Sequence, residues 1–543
     1  MAKFSQPPRE QSHFSKVPAA DIPRSRFDRS HGHKTTMDAG YLVPVYVDEV
    51  LPGDTFEMKT TAFARFATPL KPIMDNLYLD IHYFYVPNRL VWDRWQEFMG
   101  ERPDSDSPFT SLVVPKANID ISKGLTEAVF GTPRIAPYFG IPINQGTTGN
   151  LVQVNSLPFR AYCLIYNEWF RDENLQKKIP FSKGDADVDW TEFPLAYRAK
   201  RRDYFCSALP WPQAGDPVYV PLGSTAPVVT TGQNPKIKWS GQASDVASTI
   251  RKSTTSSIGT LTTPGSGNLT DTVDTQWVWG TQVGLMTDLA QATAMTINDL
   301  RTAFQIQRLL ERDARGGTRY IELILSHFGV HSDDLRLQRP ELLGSGSSAI
   351  NINPVASTFA NSEVPQGQLA GYGTVVGHGS FNKSFTEHGY VIGIASVRSE
   401  QNYQFGINRQ WLKSTRYDYY WPALAHLGEQ SIQNIELFAV GSQGTGDYQT
   451  WGYQERYAEY RYKPSIISGL FNSRVATSLD YWHVAQDWDA LPPLNAAFLI
   501  DLPAIERVIA VPSEPHFLVD IWFSLQCSRP MPVYSVPGLI DHF

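Results

Sequence analysis

Residues 41–70 read YLVPVYVDEV-LPGD-TFEMKTTAFARFATPL, two runs rich in β-branched and aromatic residues joined across a Pro-Gly turn. Such runs favour a pleated, half-buried backbone, and the turn chemistry between them marks a reversal of direction. A third run, NLYLDIHYFYVP at 76–87, alternates so that Leu77, Leu79, Ile81, Tyr83 and Tyr85 share one face. Period-2 patterning of this kind predicts strands of an antiparallel sandwich beginning at Tyr41. Strand patterns return far downstream, in GYVIGIASVRSEQ (389–401) and in HFLVDIWFSLQCSR (516–529), where apolar residues run almost unbroken. Strands so widely spaced suit a Greek-key or jelly-roll topology better than a meander.

Helical periods interrupt the strands. NRLVWDRWQEFMG (88–100) keeps Val91, Trp92, Trp95, Phe98 and Met99 at helical spacing between the N-cap candidate Asn88 and Gly100. SLPFRAYCLIYNEWFRDENL (156–175) repeats Phe159, Tyr162, Cys163, Tyr166, Trp169 and Phe170 on one stripe, the pattern of an amphipathic helix. A third helix is predicted from Thr296 to Arg315, opened by the capping-box-like TIND and closed by Gly316–Gly317, with RYIELILSHFG (319–329) as a short partner. Residues 215–280 are rich in Ser, Thr and Gly, which predicts an exposed insertion carrying short strands. A second Gly/Ser-rich stretch covers about 342–380, and residues 1–40 are polar and aperiodic, reading as an extended arm. The expected organisation is therefore an arm at 1–40 and one sandwich domain at 41–543 whose loops have grown.

Composition narrows the class. Aromatics make up 12% and charged residues 19% of the 543 residues, against about 25% charged in an average soluble domain. Low charge with many Tyr and Trp suits surface that is buried again against partners. Residues 1–40 hold seven Lys/Arg and four Asp/Glu, a balance of +3, so −10 remains for the rest of a chain whose net charge is −7. A basic leader on an acidic body can serve nucleic acid or an acidic neighbour. Cys163, Cys206 and Cys527 are too few and too scattered for a disulfide framework, and no signal peptide or membrane-spanning run is apparent. The reading is a soluble chain folded in a reducing cytoplasm.

Catalytic patterns are weak. The chain lacks G-x-S-x-G, Walker A and H-E-x-x-H sequences; GIAS at 393 sits inside a strand pattern and GYGTVVG at 371 has no βαβ context. Cys206 has no activating neighbour, and the acid pairs Asp104/Asp106 and Asp487/Asp489 read as solvated loop acids. Two basic segments carry more weight. RAKRR, with Arg198, Lys200, Arg201 and Arg202 among aromatic rings, fits either single-stranded nucleic acid or an acidic neighbouring subunit. RSRFDRSHGHKTTMDAG (24–40) places Arg24, Arg26 and Arg29 ahead of His31 and His33. A zinc site there lacks supporting ligands, and the histidines read as hydrogen-bonding turn residues in a docked arm. Trp-rich DYYWPALAHLG (418–428) and TSLDYWHVAQDWDALPP (477–493) read as subunit contacts, with a carbohydrate groove as the alternative.

RSRFDRSHGHKTTMDAGYLVPVYVDEVLPGDTF resembles the N-terminal signature of gokushovirus major capsid proteins, within the Microviridae. LDIHYFYVPNRLVWDRWQEFMGE, RAYCLIYNEWFRDENLQ, RDYFCSALPWPQ and RPMPVYSVPGLIDHF resemble further segments of that family, in order along nearly the whole chain. The resemblance implies a mainly β protein, an eight-stranded viral jelly-roll β-sandwich with long inserted loops and several helices. It implies a non-enzymatic subunit of a sixty-copy T=1 shell around a circular single-stranded DNA genome, without cofactors, assembled in a bacterial cytoplasm. A small basic DNA-binding protein, a pilot protein, an internal scaffolding protein and a host surface receptor are the implied partners, the last meeting a protrusion formed by 215–280. The rival from another class is a β-sandwich glycan-binding protein or glycoside hydrolase.

Overall fold

A computed structural model describes residues 23–101, 112–123, 133–144, 151–216, 218, 297–317, 319–334, 336–359, 365–441 and 446–534, with six short strands inside 219–296. Ten strands among these residues build two facing sheets. They are β1 (Ser25–Asp28), β2 (His31–Met37), β3 (Val43–Val50), β4 (Thr55–Phe66), β5 (Leu77–Pro87), β6 (Glu341–Ala349), β7 (Asn351–Ala356), β8 (Leu369–Ser384), β9 (Gly389–Ser399) and β10 (Phe517–Arg529). One sheet runs β1-β10-β4-β8-β7, with β2 also on β10, and the other runs β6-β5-β9-β3. Set aside the extensions β1 and β7, and the remainder is the eight-stranded jelly roll, β2-β10-β4-β8 against β3-β9-β5-β6.

The two sheets are buried differently, and the sequence shows why. Along β4, Phe56, Met58, Ala62, Ala64 and Phe66 point into the sandwich while Lys59, Thr61, Phe63 and Arg65 stay exposed. The apparently unbroken run of β10 also alternates, with Leu518, Asp520 and Trp522 outward. The first sheet therefore has one open face. In the second sheet β9 is buried at every position, and β5 is buried on both faces. Helix α1 (Leu157–Ile165) and its π-helical continuation Tyr166–Phe170 supply the cover. The Phe84 ring lies 5.5 Å from Trp169, His82 lies 5.8 Å from Phe170, and the Tyr162 hydroxyl donates to the Leu42 carbonyl at 2.7 Å.

Three expectations change. The polar arm does not last to residue 40: Ser25–Asp28 and His31–Met37 are hydrogen-bonded along β10, so the sandwich begins at β2 rather than at Tyr41. The single helix expected over 88–99 is two short helical turns, Asn88–Leu90 and Trp95–Phe98. The Gly/Ser-rich 342–380, which shows no strand pattern in sequence, holds most of β6, all of β7 and most of β8. Its inward positions along β8 are Gly371, Gly373, Val375, Gly377, Gly379 and Phe381, so glycine occupies the places where period 2 would otherwise show apolar side chains. A Cβ on Gly373 would lie 2.7 Å from the Phe66 Cβ, and one on Gly346 of β6 would collide with the His378 carbonyl oxygen of β8.

The chain divides into two compact units, residues 1–212 with 316–543, and residues 213–315. The second is wider than the expected 215–280. Its strands pair in nested fashion, Val228–Thr230 with Leu285–Thr287, Ile237–Trp239 with Trp277–Trp279, and Arg251–Lys252 with Leu261–Thr262. The segment thus runs out and retraces its path. It ends in the helix Ile297–Gly316, close to the predicted span, and in the first unit the short partner helix Tyr320–Phe328 stops at Gly329 in the left-handed conformation.

Gly346→Ala is expected to cost at least ~2 kcal/mol because neither backbone can move aside. Ser345→Ala, on the exposed side of the same strand, should stay within ~0.5 kcal/mol. Urea unfolding of the purified subunit measures both.

Candidate functional site

RAKRR is half interior. The Ala199 backbone bridges Ile500; Arg198 N–H donates to the Gly40 carbonyl at 2.7 Å and Lys200 N–H to the Leu499 carbonyl at 2.7 Å. This strand-like pairing turns Arg198 and Lys200 inward. The Arg198 guanidinium sits 2.8 Å from an Asp80 carboxylate oxygen that Arg398 also approaches at 2.9 Å, and it donates to the Ser396 hydroxyl at 2.6 Å. The Lys200 ammonium donates to Gln486 at 2.8 Å and lies 4.4 Å from the centre of the Phe498 ring. Neither cation presents its charge to a polyanion, which corrects the expectation of a four-cation surface strip. Arg201 and Arg202 are exposed, and Arg202 reaches Glu173 at 3.3 Å.

Burial and charge act against each other across this cluster. Burial alone would raise the Asp80 carboxyl, but Arg198, a Ser347 hydrogen bond and Arg398 outweigh it and hold it below the ordinary value. Burial lowers Arg198 and Lys200. Asp501, whose N–H donates to the Arg198 carbonyl, is pushed by burial up to about 6 despite Arg198, a Gln401 hydrogen bond and Lys200. The expectation had passed over Asp80, Arg398 and Asp501. A lone Asp inside LYLDIHYFYVP and a lone Arg inside GIASVRS were the available signal, because a charge in a doubly buried strand needs a partner.

The N-terminal cations are placed one by one. Arg29 clamps Asp48 with both guanidinium nitrogens, the Nη2 contact being 3.0 Å. Arg26 is exposed and meets Glu57 at 3.3 Å and Gln526 at 3.1 Å, while Arg24 donates to Thr55 at 3.3 Å. His31 and His33 are strand residues, not turn residues. Each donates from Nδ1 at 2.8 Å to a backbone carbonyl, that of Arg29 and of Val45 respectively; a carbonyl can only accept, which fixes the proton on Nδ1. The His31 ring also lies 5.2 Å from Phe523. Gly32 is simply the strand residue opposite Trp522.

Other candidates resolve into structure. Ser396 of GIAS accepts from Arg198, and GYGTVVG is the middle of β8. Cys163, Cys206 and Cys527 are free and buried, and burial pushes the Cys163 thiol up to about 12, far from thiolate. Asp487 and Asp489 share Arg474 at 3.2 and 3.4 Å, and Asp104 and Asp106 lie outside the described residues. Trp488, half-buried, packs 6.0 Å from Phe498 against a second, smaller core that includes Tyr204, Phe205, Tyr403 and Trp451. The segment at 418–428 instead stays at the surface. Among the described residues no helix is long and apolar enough to cross a membrane.

A jelly roll whose charged clusters lock chain segments together is an architecture that structural proteins of the viral capsid class share with others. Comparison with known proteins gives the particular family. Residues 15–539 match the family described as Capsid protein (F protein). Capsid protein VP1 of Bdellovibrio phage phiMH2K is 42% identical over 98% of both chains. Capsid protein VP1 of Chlamydia phage 1 is 40% identical over 97% of this chain and 98% of its own, and that of Spiroplasma virus 4 is 35% identical over 97% of both. The chain belongs to this phage capsid protein family. It is a structural component of the virion, not an enzyme.

Arg198→Ala is expected to cost about 3 kcal/mol, because it strips Asp80 of one of its two guanidinium partners inside the fold; equilibrium unfolding checks it. Asp501 predicts a pH slope. Its folded value near 6 exceeds the unfolded value of about 3.9, so the folded state holds that proton more tightly. Its contribution is full below about pH 4, declines up to about pH 6 and is lost above. Asp501→Asn should flatten the wild-type stability profile across that window.

Proposed function

We propose that sixty copies of this chain close a T=1 shell around a circular single-stranded DNA genome, in the manner of the gokushovirus capsids that its sequence resembles. The observation that carries this reading is the jelly roll itself, joined to capsid relatives alignable over nearly their whole length. A closed shell gives every copy the same complementary contacts without open ends. Assembly takes place in the bacterial host cytoplasm.

The open face of the first sheet suits the interior. It carries Arg26 and Lys59, which share Glu57, and Arg65 beside the exposed rings of Phe63 and Trp522, and cations with stackable rings suit single-stranded DNA. Arg24, Arg201 and Arg202 add cations able to meet phosphate or a neighbouring subunit; Arg29, Arg198 and Lys200 serve the fold. With −10 beyond residue 40, much of the phosphate charge falls to a small basic DNA-binding protein. A pilot protein and an internal scaffolding protein complete the set. Residues 215–280, inside the separate unit 213–315, form the protrusion that contacts a host surface receptor.

Negative-stain electron microscopy of the purified particle is expected to show uniform small icosahedral shells; isolated monomers that bind or cleave glycans would overturn the reading. Deleting residues 222–275 should leave shells intact and abolish host attachment, scored by adsorption. Neutralising Arg24, Arg26, Arg201 and Arg202 together should lower the DNA recovered per shell and weaken its salt dependence.

A further inference from the structure

The second excursion, residues 400–516, contains a lobe built inside out. Two of its ion pairs are interior. Lys413 and Glu459 pair at 3.3 Å with side chains only 6 and 8% exposed. Arg409 donates to Glu436 at 2.9 Å and to the Ser431 carbonyl at 2.7 Å, and the Tyr204 hydroxyl donates to the other Glu436 oxygen at 2.8 Å. Its rings are exterior. Trp411, Tyr417, Tyr419, Tyr420, Trp421 and Tyr460 are each between 45 and 76% exposed.

These rings form one surface. The Lys413 ammonium lies 3.9 Å from the Tyr460 ring centre and 5.5 Å from that of Tyr419. Arg416 lies 5.4 Å from both Tyr417 and Trp421. Tyr420 packs 6.2 Å from Tyr460. Trp411 stands at a neighbouring cavity of about 400 Å³, whose apolar walls include Ile407, Pro464 and Ile466. Burying ion pairs costs desolvation, and exposing rings forgoes burial. A surface meant for water would reverse both choices.

We infer that this aromatic lobe is a contact surface for a second copy of the same chain, with the cavity beside Trp411 as a socket for a side chain of that copy. The inference rests on the capsid reading and adds where one subunit grips another. Area supports it. At roughly 200 Å² per aromatic side chain, the six rings present about 700 Å², close to the ~800 Å² per partner of a standard stable interface. The composition is that of interface anchors, Trp and Tyr with Arg. The interior ion pairs fix the lobe in advance, so little ordering entropy is lost on docking.

The test uses shells assembled from the full-length chain with the internal scaffolding protein supplied and then removed, compared by hydroxyl-radical footprinting with subunits dissociated from them. Trp411, Tyr419 and Tyr460 should be oxidised at least tenfold more slowly in shells. Equal oxidation in both would overturn the inference while leaving the capsid reading standing, and would point to another partner for the lobe. Failure of the wild-type chain to form shells even with the internal scaffolding protein supplied would overturn the capsid reading itself. As a second arm, Trp411→Ala and the double variant Tyr419→Ser/Trp421→Ala should keep the wild-type melting transition and lose at least tenfold in shell yield by sedimentation. Folded variants that assemble at the wild-type yield would likewise overturn it.

Discussion

Strand β10 holds the molecule together. It is hydrogen-bonded on one side to β1 and β2 and on the other to β4, so residues near 30 and near 525 are direct neighbours. Nothing local can substitute for that pairing. It requires that two long excursions start and finish at fixed points. The first leaves at Pro87 and returns at Glu341, which pairs with Tyr85. The second leaves at Ser399, at the opposite end of β9, and returns at Phe517 opposite Phe66. Pairings of such sequence separation carry a high closure entropy and form late. The sandwich is therefore completed only when the last strand arrives.

The first excursion repays that cost by covering the second sheet. Helix α1 seals one part, and the 198–200 segment docks Arg198 against Asp80 and Ser396, which project from the outer side of β5 and β9. A buried charge cluster adds little net stability over an apolar one, but removing a single partner is costly. It thus acts as a registration device. Arg198 meets Asp80 and Arg398 only when excursion, strand β5 and strand β9 are all in place. The Asp501 backbone, contributed by the second excursion, joins the same segment. One short stretch ties together parts of the chain that are hundreds of residues apart.

Much of this was legible before any coordinates. The strands at 43–50, 55–66, 77–87, 389–399 and 517–529 announced themselves by β-branched content, and the helix at 157–165 by its apolar stripe, because in each the buried side is written in large side chains. The failures have equally specific causes. Strand β8 gives no pattern because its inward side is mostly glycine, and β2, HGHKTTM, has too few apolar residues to signal a strand. The segment at 88–99 holds two short turns, with Trp92 and Trp95 both buried, a tertiary arrangement that helical spacing alone does not specify. RAKRR was misread because one-dimensional charge density cannot report which side of a strand faces inward.

The sequence by itself determined the class of fold, the positions of most core strands, the separateness of the Ser/Thr-rich insertion and, through its resemblance to known capsid segments, the family. These are properties carried by local pattern and by ordered motifs, and they survive without knowledge of what touches what. Only the tertiary structure decided that the histidine-bearing leader is the first strand of the sandwich, that Arg198 and Lys200 are interior, and that the lobe around Trp411 exposes its rings while pairing Lys413 and Arg409 inside. Each of these depends on a partner far away in sequence. A cation is a surface group or a buried linchpin according to whether an Asp80 arrives beside it, and nothing within five residues of Arg198 says so.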